Sequence, residues 1–132
     1  MSEELTLFEV RNCEGLKYLT WSMFDSSDDI GSGYKFMERE PVLILDKVVD
    51  ITKSTLNIEL GYVTPMLASQ LFLASNNSHR VGKAIKIRIV GGKKRMRIVK
   101  NLIKLGVVRI KISREFVYFD TDDLKQEELS IV

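Results

Sequence analysis

One segment carries residues whose types and spacing are those of a metal-dependent site. It reads Asn77-Ser78-His79-Arg80-Val81-Gly82-Lys83-Ala84-Ile85-Lys86-Ile87. His79 is the sole histidine and Cys13 the sole cysteine of the 132 residues. A site that needs two imidazoles, a disulfide framework or several thiolate ligands is therefore excluded. The chemistry open to this chain centres on one imidazole.

This segment resembles the zinc-binding motif S-x-H-x-x-G-x-A-x-D-I of the zinc D-Ala-D-Ala carboxypeptidases, cell-wall peptidases that many phages use as endolysins. His79, Gly82, Ala84 and Ile87 occupy motif positions. Three other stretches are similar to the family in the same order and at similar spacing. They are Thr20-Trp21-Ser22-Met23-Phe24-Asp25-Ser26 with Gly31-Ser32-Gly33, then Gly61-Tyr62-Val63-Thr64-Pro65, and finally Phe116-Val117-Tyr118-Phe119-Asp120. The similarity covers roughly residues 18–121.

The departures from the family pattern fall on the positions that carry its chemistry. The family binds zinc with two His and one Asp; here His79 remains, Lys86 stands at the Asp position and Tyr118 at the second His position. A Lys ammonium has no lone pair, and a neutral phenol is a poor substitute for imidazole. Val63 replaces the Arg that grips the substrate carboxylate, and Glu115 stands at a general-base position with no metal-bound water to activate. The resemblance therefore implies a non-enzyme without catalytic residues, bound metal or cofactor.

These replacements lead to specific expectations for the old cleft. His79 is expected to be a buried, hydrogen-bonded histidine rather than a metal ligand. Lys86 and Tyr118 are expected side by side, with a Lys–Tyr or Lys–Glu115 contact filling the space of the metal. The nearby acidic cluster of Asp120, Asp122 and Asp123 does not have the spacing of a twelve-residue calcium loop, so a solvated turn is expected there.

The charges of the chain are strongly segregated along the sequence. Residues 80–114 hold thirteen Lys or Arg and no Asp or Glu, whereas the other 97 residues carry a net charge of about −11. Six of these cations crowd one predicted helix and form a candidate partner-binding surface: Lys93, Lys94, Arg95, Arg97, Lys100 and Lys104. Nucleic-acid phosphate, an acidic protein surface and the acidic segments of this chain are three alternative sources of compensating charge. No aromatic residue interrupts the basic stretch, so base stacking is not expected.

Periodicity predicts an α+β domain with a small, mostly antiparallel sheet and about three helices. The predicted helices cover about 41–51, 64–74 and 93–105, and the predicted strands 55–62, 84–90, 108–112 and 116–118. The resemblance implies a compact D-Ala-D-Ala carboxypeptidase-like domain of the hedgehog/DD-peptidase type. The predicted organisation is an N-terminal strand or arm over 1–17, the degenerate carboxypeptidase-like domain over 18–121 and an acidic C-terminal tail over 122–132.

The sequence gives no expectation of secretion or membrane insertion, and the resemblance implies a structural role in a phage particle. The acidic start, Met1-Ser2-Glu3-Glu4, has no signal-peptide pattern, and no apolar run approaches a membrane span. The resemblance implies a pseudo-peptidase that serves as a phage virion structural or decoration protein, in the capsid or tail, located in the virion or host cytoplasm. Its partners would be other virion proteins or an acidic protein surface, within an oligomeric assembly. Two alternatives are a peptidoglycan-peptide-binding or weakly active zinc carboxypeptidase, and a nucleic-acid-contacting accessory protein that uses the basic region 80–114.

Overall fold

The computed structural model describes residues 12–132, which form helices packed against a single sheet. A 3-10 helix, Trp21–Phe24, precedes the α-helices α1 (Ser32–Phe36), α2 (Arg39–Thr52), α3 (Pro65–Gln70) and α4 (Gly92–Lys104). The strands are β1 (Asn57–Leu60), β2 (Ala84–Arg88), β3 (Arg109–Ile112), β4 (Phe116–Asp120) and β5 (Glu128–Ile131). The predicted α+β class is confirmed. Helix α1 is an addition to the three predicted helices.

The strands lie in the order β1-β2-β4-β3-β5, and all neighbours are antiparallel except β3 and β5, which run parallel. Strand β5 comes from the segment predicted to be an acidic tail. Residues 128–131 therefore belong to the sheet rather than to an appendage of the domain. Four residues give too short an alternation to be read as a strand; pairing with β3 supplies the backbone hydrogen bonds that fix it.

The two long helices, α2 and α4, cover one face of the sheet. Their buried residues Val42, Leu45, Ile98 and Leu102 share a hydrophobic core with the inward-facing residues of the strands, Ile85, Ile87, Ile110, Val117 and Phe119. Because strand side chains alternate, the intervening residues lie on the opposite, open face of the sheet. That open face carries Lys86, Arg88, Lys111, Phe116 and Tyr118.

Short polar motifs fold the chain before α2. The carboxylate of Asp25 accepts hydrogen bonds from the backbone N–H groups of Gly31 and Gly33, at 3.0 and 2.8 Å. Gly33 packs so closely that an added Cβ would lie 2.2 Å from the carbonyl oxygen of Trp21, so this position requires glycine. Residues 1–11, most of the predicted N-terminal arm, lie outside the described residues.

The described part of the predicted arm is attached to helix α2. The backbone N–H groups of Lys17, Tyr18 and Leu19 all donate to the carboxylate of Asp46, each at 2.9 Å. Asp46 is buried on α2. Three charge-assisted hydrogen bonds to one buried carboxylate fix where the chain enters the domain.

Candidate functional site

The structure brings the three positions that would hold zinc in the resembled family to one place. Strands β2 and β4 pair with Lys86 directly opposite Tyr118, so their side chains lie together on the open face. The imidazole of His79 meets the ring of Tyr118 edge-on, with 5.5 Å between ring centroids. The expectation that Lys86 and Tyr118 lie side by side is confirmed.

His79 is held as a buried neutral imidazole. Its Nδ1–H donates to the carbonyl oxygen of Gly61 at 2.8 Å, and only 5% of the residue is exposed. Burial lowers the pKa of His79 to about 4, and the nearby positive charge of Lys86 acts in the same direction. Backbone hydrogen bonds at Gly61 and Ala84 and the charge of Asp120 oppose the shift. The geometry agrees with the expected role as a hydrogen-bonded residue in the cleft.

The ammonium of Lys86 forms neither of the polar contacts expected for it. Its Nζ forms an ion pair with Glu59 at 3.3 Å and lies 4.5 Å from the centroid of the Phe116 ring. The expected Lys–Tyr and Lys–Glu115 contacts were therefore wrong. Strand pairing accounts for the ion pair, since Ile58 of β1 lies opposite Ile87 of β2, and the next residue of β1, Glu59, is therefore brought to Lys86.

Tyr118 is held as a neutral phenol. Its hydroxyl donates to the Oδ2 of Asp120 at 2.6 Å. Burial, reinforced by this hydrogen bond and by the negative charge of Asp120, raises the pKa of Tyr118 well above its usual value. Asp120 is in turn ion-paired with Arg109 at 2.7 Å, and both side chains are largely buried. This arrangement opposes the phenolate form that a metal would require.

The two remaining family positions do not contribute to the cleft. Val63 is fully buried, and its backbone N–H donates to the carbonyl oxygen of His79 at 3.3 Å. Glu115 is exposed in the turn between β3 and β4. Arg80, adjacent to His79, is tethered by its guanidinium to the hydroxyl of Tyr62 and the carbonyl oxygen of Val63. These contacts do not identify a residue that replaces the family's substrate-binding Arg, whose position Val63 occupies.

The donor set does not fit zinc. A structural or catalytic zinc site needs at least three His, Cys, Asp or Glu ligands around one point. His79 supplies one imidazole, whereas Lys86 supplies an ammonium and Tyr118 a phenol committed to Asp120. Within residues 12–132, no group of three such ligands could hold a metal ion.

The acidic cluster after β4 is part of the scaffold rather than the solvated turn expected. Asp122 is buried and accepts from the hydroxyl of Ser78 at 2.9 Å. Lys125 lies 3.6 Å from Asp122 and donates to Ser78 at 2.8 Å. Asp123 is exposed and pairs with Lys83 at 3.6 Å. These contacts join the His79 loop to the segment that leads into β5.

The basic region 80–114 is divided between two surfaces instead of forming one positive face. The cations Lys86, Arg88 and Lys111 lie on the open face of the sheet, whereas the cations of α4 lie on the covering layer. Alternation along the strands and the packing of α4 on the other face of the sheet cause this division. On the open face, Glu59 lies 3.3 Å from Lys86 and 4.0 Å from Arg88.

The open face does place aromatic rings among cations, which the sequence did not predict. Phe116 and Tyr118, from β4, lie between the cations of β2 and β3. Their rings are already contacted by Lys86, at 4.5 Å from the Phe116 centroid, and Lys111, at 5.4 Å from the Tyr118 centroid. The rings lie outside the basic stretch in sequence, so only strand pairing reveals the arrangement. Because lysines and His79 contact these rings, base stacking is not favoured here.

Sequence reasoning missed two residues that organise the site, Glu59 and Arg109. The alternation of β1 did place Glu59 on the polar side of its strand, which was the available signal. Arg109 carried no local signal, because its buried partner Asp120 lies on another strand.

No protein-family model matches this chain, and no curated protein gives a significant match. Over residues 12–132, none of the helices has the length and apolar character needed to cross a bilayer.

Proposed function

We propose that this chain is a non-enzymatic pseudo-peptidase that serves as a phage virion structural or decoration protein, in the capsid or tail. The observation that carries the non-enzymatic part is the exchange of donors at one point of the sheet. Where the resembled family has three zinc ligands, this chain has the imidazole of His79, an ion-paired ammonium at Lys86 and a neutral phenol at Tyr118. The virion context rests on the resemblance alone.

The pattern of retained and replaced motif positions supports the proposal. The retained glycines are sterically required. At Gly82 the φ angle is +73° and an added Cβ would lie 2.1 Å from the Phe36 carbonyl oxygen, while at Gly61 it would lie 2.7 Å from the Cα of Phe24. The replaced positions are the ones that would hold metal or substrate. Replacement of the metal and substrate positions with retention of sterically required glycines is the pattern expected of a scaffold.

The proposal predicts that the purified protein does not bind stoichiometric zinc. Elemental analysis after dialysis against zinc is the direct measurement, paired with an assay of release of the terminal alanine from a peptide ending in D-Ala-D-Ala. About one zinc ion per chain, or turnover of that peptide, would overturn the pseudo-peptidase proposal.

A gain-of-metal experiment tests the resemblance separately. In the double variant Lys86→Asp/Tyr118→His, the two new ligands would be cross-strand neighbours beside His79. We expect this variant to bind about one zinc ion per chain. The matched control adds His79→Ala to the double variant and should lose the metal. A folded double variant without zinc would contradict a carboxypeptidase-like arrangement of these positions.

The virion role has its own experiment. If the chain is encoded by a phage, mass spectrometry of purified particles should find it in a fixed ratio to a major capsid or tail protein. Its occurrence only in the soluble lysate of infected cells would reject the structural role and leave the metal experiments unaffected. Partners within the particle would be other virion proteins or an acidic protein surface.

A further inference from the structure

The six cations of α4 divide into two groups with different surroundings. Lys94 donates to the backbone carbonyl oxygen of Thr55, and Arg95 donates to that of Arg114 at 3.0 Å. These two side chains fasten the first turn of α4 to the segments before β1 and after β3. The other four are exposed, and we call them the basic stripe: Lys93, Arg97, Lys100 and Lys104.

The basic stripe is a straight array on one side of the helix. Its members are separated by four, three and four residues, the spacing that places side chains on one face of an α-helix. The array extends about 16 Å along the helix axis. Met96, which is 67% exposed, lies beside it, while the apolar residues Ile98, Val99 and Leu102 anchor the opposite side of α4 in the core. The helix presents the stripe to solvent on a rigid support.

The charges of the stripe have no neutralising partner within residues 12–132, where no carboxylate lies within 4.0 Å of any of the four. The carboxylates that do form ion pairs pair with other cations, such as Asp50 with three lysines and Glu59 with Lys86. Neighbouring like charges three and four residues apart repel one another. A ligand that supplies a row of negative charges would relieve this repulsion.

We propose that the basic stripe binds the sugar-phosphate backbone of double-stranded DNA without reading its sequence. Each strand of a duplex presents a phosphate every 3.4 Å along the axis, about five over the length of the stripe, and the B-form major groove, about 12 Å wide, admits an α-helix. Three of the four cations are lysines, which act as point charges toward phosphate. Protein–protein interfaces are instead depleted in lysine and enriched in aromatic residues. Helix α4 is rich in lysine and has no aromatic residue.

The geometry favours DNA over double-stranded RNA, because the deep, narrow major groove of A-form RNA does not admit side chains on a helix. The proposal is independent of the pseudo-peptidase proposal, since the stripe lies on the helical layer and the cleft on the open face of the sheet. Zinc binding or peptide turnover by the protein would not affect it.

The test is binding of the full-length protein to a fluorescein-labelled DNA duplex of random sequence, followed by anisotropy across a salt series. Four phosphate contacts predict a slope of log K against log salt of about −3.6, which is about a 150-fold loss of affinity between ~50 and ~200 mM salt. In the stripe variant, all four members are changed to Gln, and the slope should fall to near zero with loss of most of the affinity at low salt.

The matched control removes four exposed cations elsewhere, Lys17, Lys35, Lys47 and Arg114, by substitution with Gln. It has the same net charge as the stripe variant and should keep most of the affinity. Equal losses in the two variants would show an effect of net charge and overturn the proposal. A thermal melt by circular dichroism checks folding; the stripe variant should melt no earlier than the wild type, because the changed side chains lack partners within the described residues.

Competition distinguishes DNA from an acidic protein surface. Unlabelled duplex should displace the labelled duplex at much lower charge concentration than polyglutamate does. Equal competition by polyglutamate, or affinity that does not depend on salt, would overturn the proposal. A variant with Lys94 and Arg95 changed to Gln separates the tethers from the stripe: it should melt earlier than the wild type while the folded protein keeps the salt slope.

Discussion

Lowering the pH from about 7.5 to about 5 should destabilise this fold mainly through His79, because Asp28, Asp50 and Asp122, whose pKa values are depressed, lose their stabilising contribution only in stronger acid. The imidazole is buried and donates its Nδ1–H to the carbonyl oxygen of Gly61. Burial lowers the pKa of His79 from 6.5 to about 4. In the unfolded chain the same group has its ordinary pKa near 6.5.

The sign follows from which state binds the proton. Between about pH 6.5 and 4, the unfolded chain binds more protons at His79 than the folded protein does, so acid favours unfolding. The contribution of His79 to the free energy of unfolding is complete above the pKa of the unfolded chain and is lost as the pH falls toward the folded pKa. The difference of about 2.5 pKa units corresponds to about 3 kcal/mol at the acid limit, of which about 2 kcal/mol is lost by pH ~5.

Urea denaturation followed by circular dichroism at a series of pH values measures this effect. The variant His79→Gln has no titrating group at this position and should lose most of the pH dependence between about 7.5 and 5. The variant Asp50→Asn is the matched control. Hydrogen bonds from Tyr18 and Lys53 lower the pKa of Asp50, so its contribution is present above the usual carboxyl pKa and is lost only in stronger acid. A wild-type slope that persists in His79→Gln would refute the reasoning.

Three further predictions concern the scaffold. Gly82→Ala should destabilise the protein far more than Gly106→Ala. Both positions have positive φ, which costs an alanine about 1–2 kcal/mol, but only at Gly82 does the new Cβ also meet a backbone oxygen, at 2.1 Å. Equal losses of the free energy of unfolding in urea denaturation would contradict the steric argument. Phe72→Gly should raise the melting temperature, since Phe72 is 95% exposed and holds a φ of +58° at the end of α3, where glycine stabilises by roughly 0.5–1 kcal/mol; a lower melting temperature would show that its ring makes stabilising contacts. Arg109→Met should reduce the free energy of unfolding by about 3–5 kcal/mol, because it leaves the buried carboxylate of Asp120 without its cation; a loss below about 1 kcal/mol in chemical denaturation would contradict a buried ion pair.

Much of the local structure and the chemical inventory could be predicted from the sequence. Apolar periodicity indicated α2, α4 and most strands because it reports which side of an element is buried, a local property. The single histidine and the replacements at Lys86 and Tyr118 excluded a zinc site of the resembled family by residue type alone. The strand β5 escaped prediction because its stability comes from pairing with β3 rather than from its own four-residue pattern.

The tertiary structure decided which charges meet. Pairing of β1 with β2 brought Glu59 to Lys86, in place of the contacts expected with Tyr118 and Glu115. Strand alternation and the packing of α4 divided one continuous basic stretch between two layers, and they left the basic stripe exposed while Lys94 and Arg95 became backbone tethers. Charge partners are set by distances across strands and helices that lie far apart in the chain. The sequence determined which charges exist, and only the fold determined which of them are neutralised.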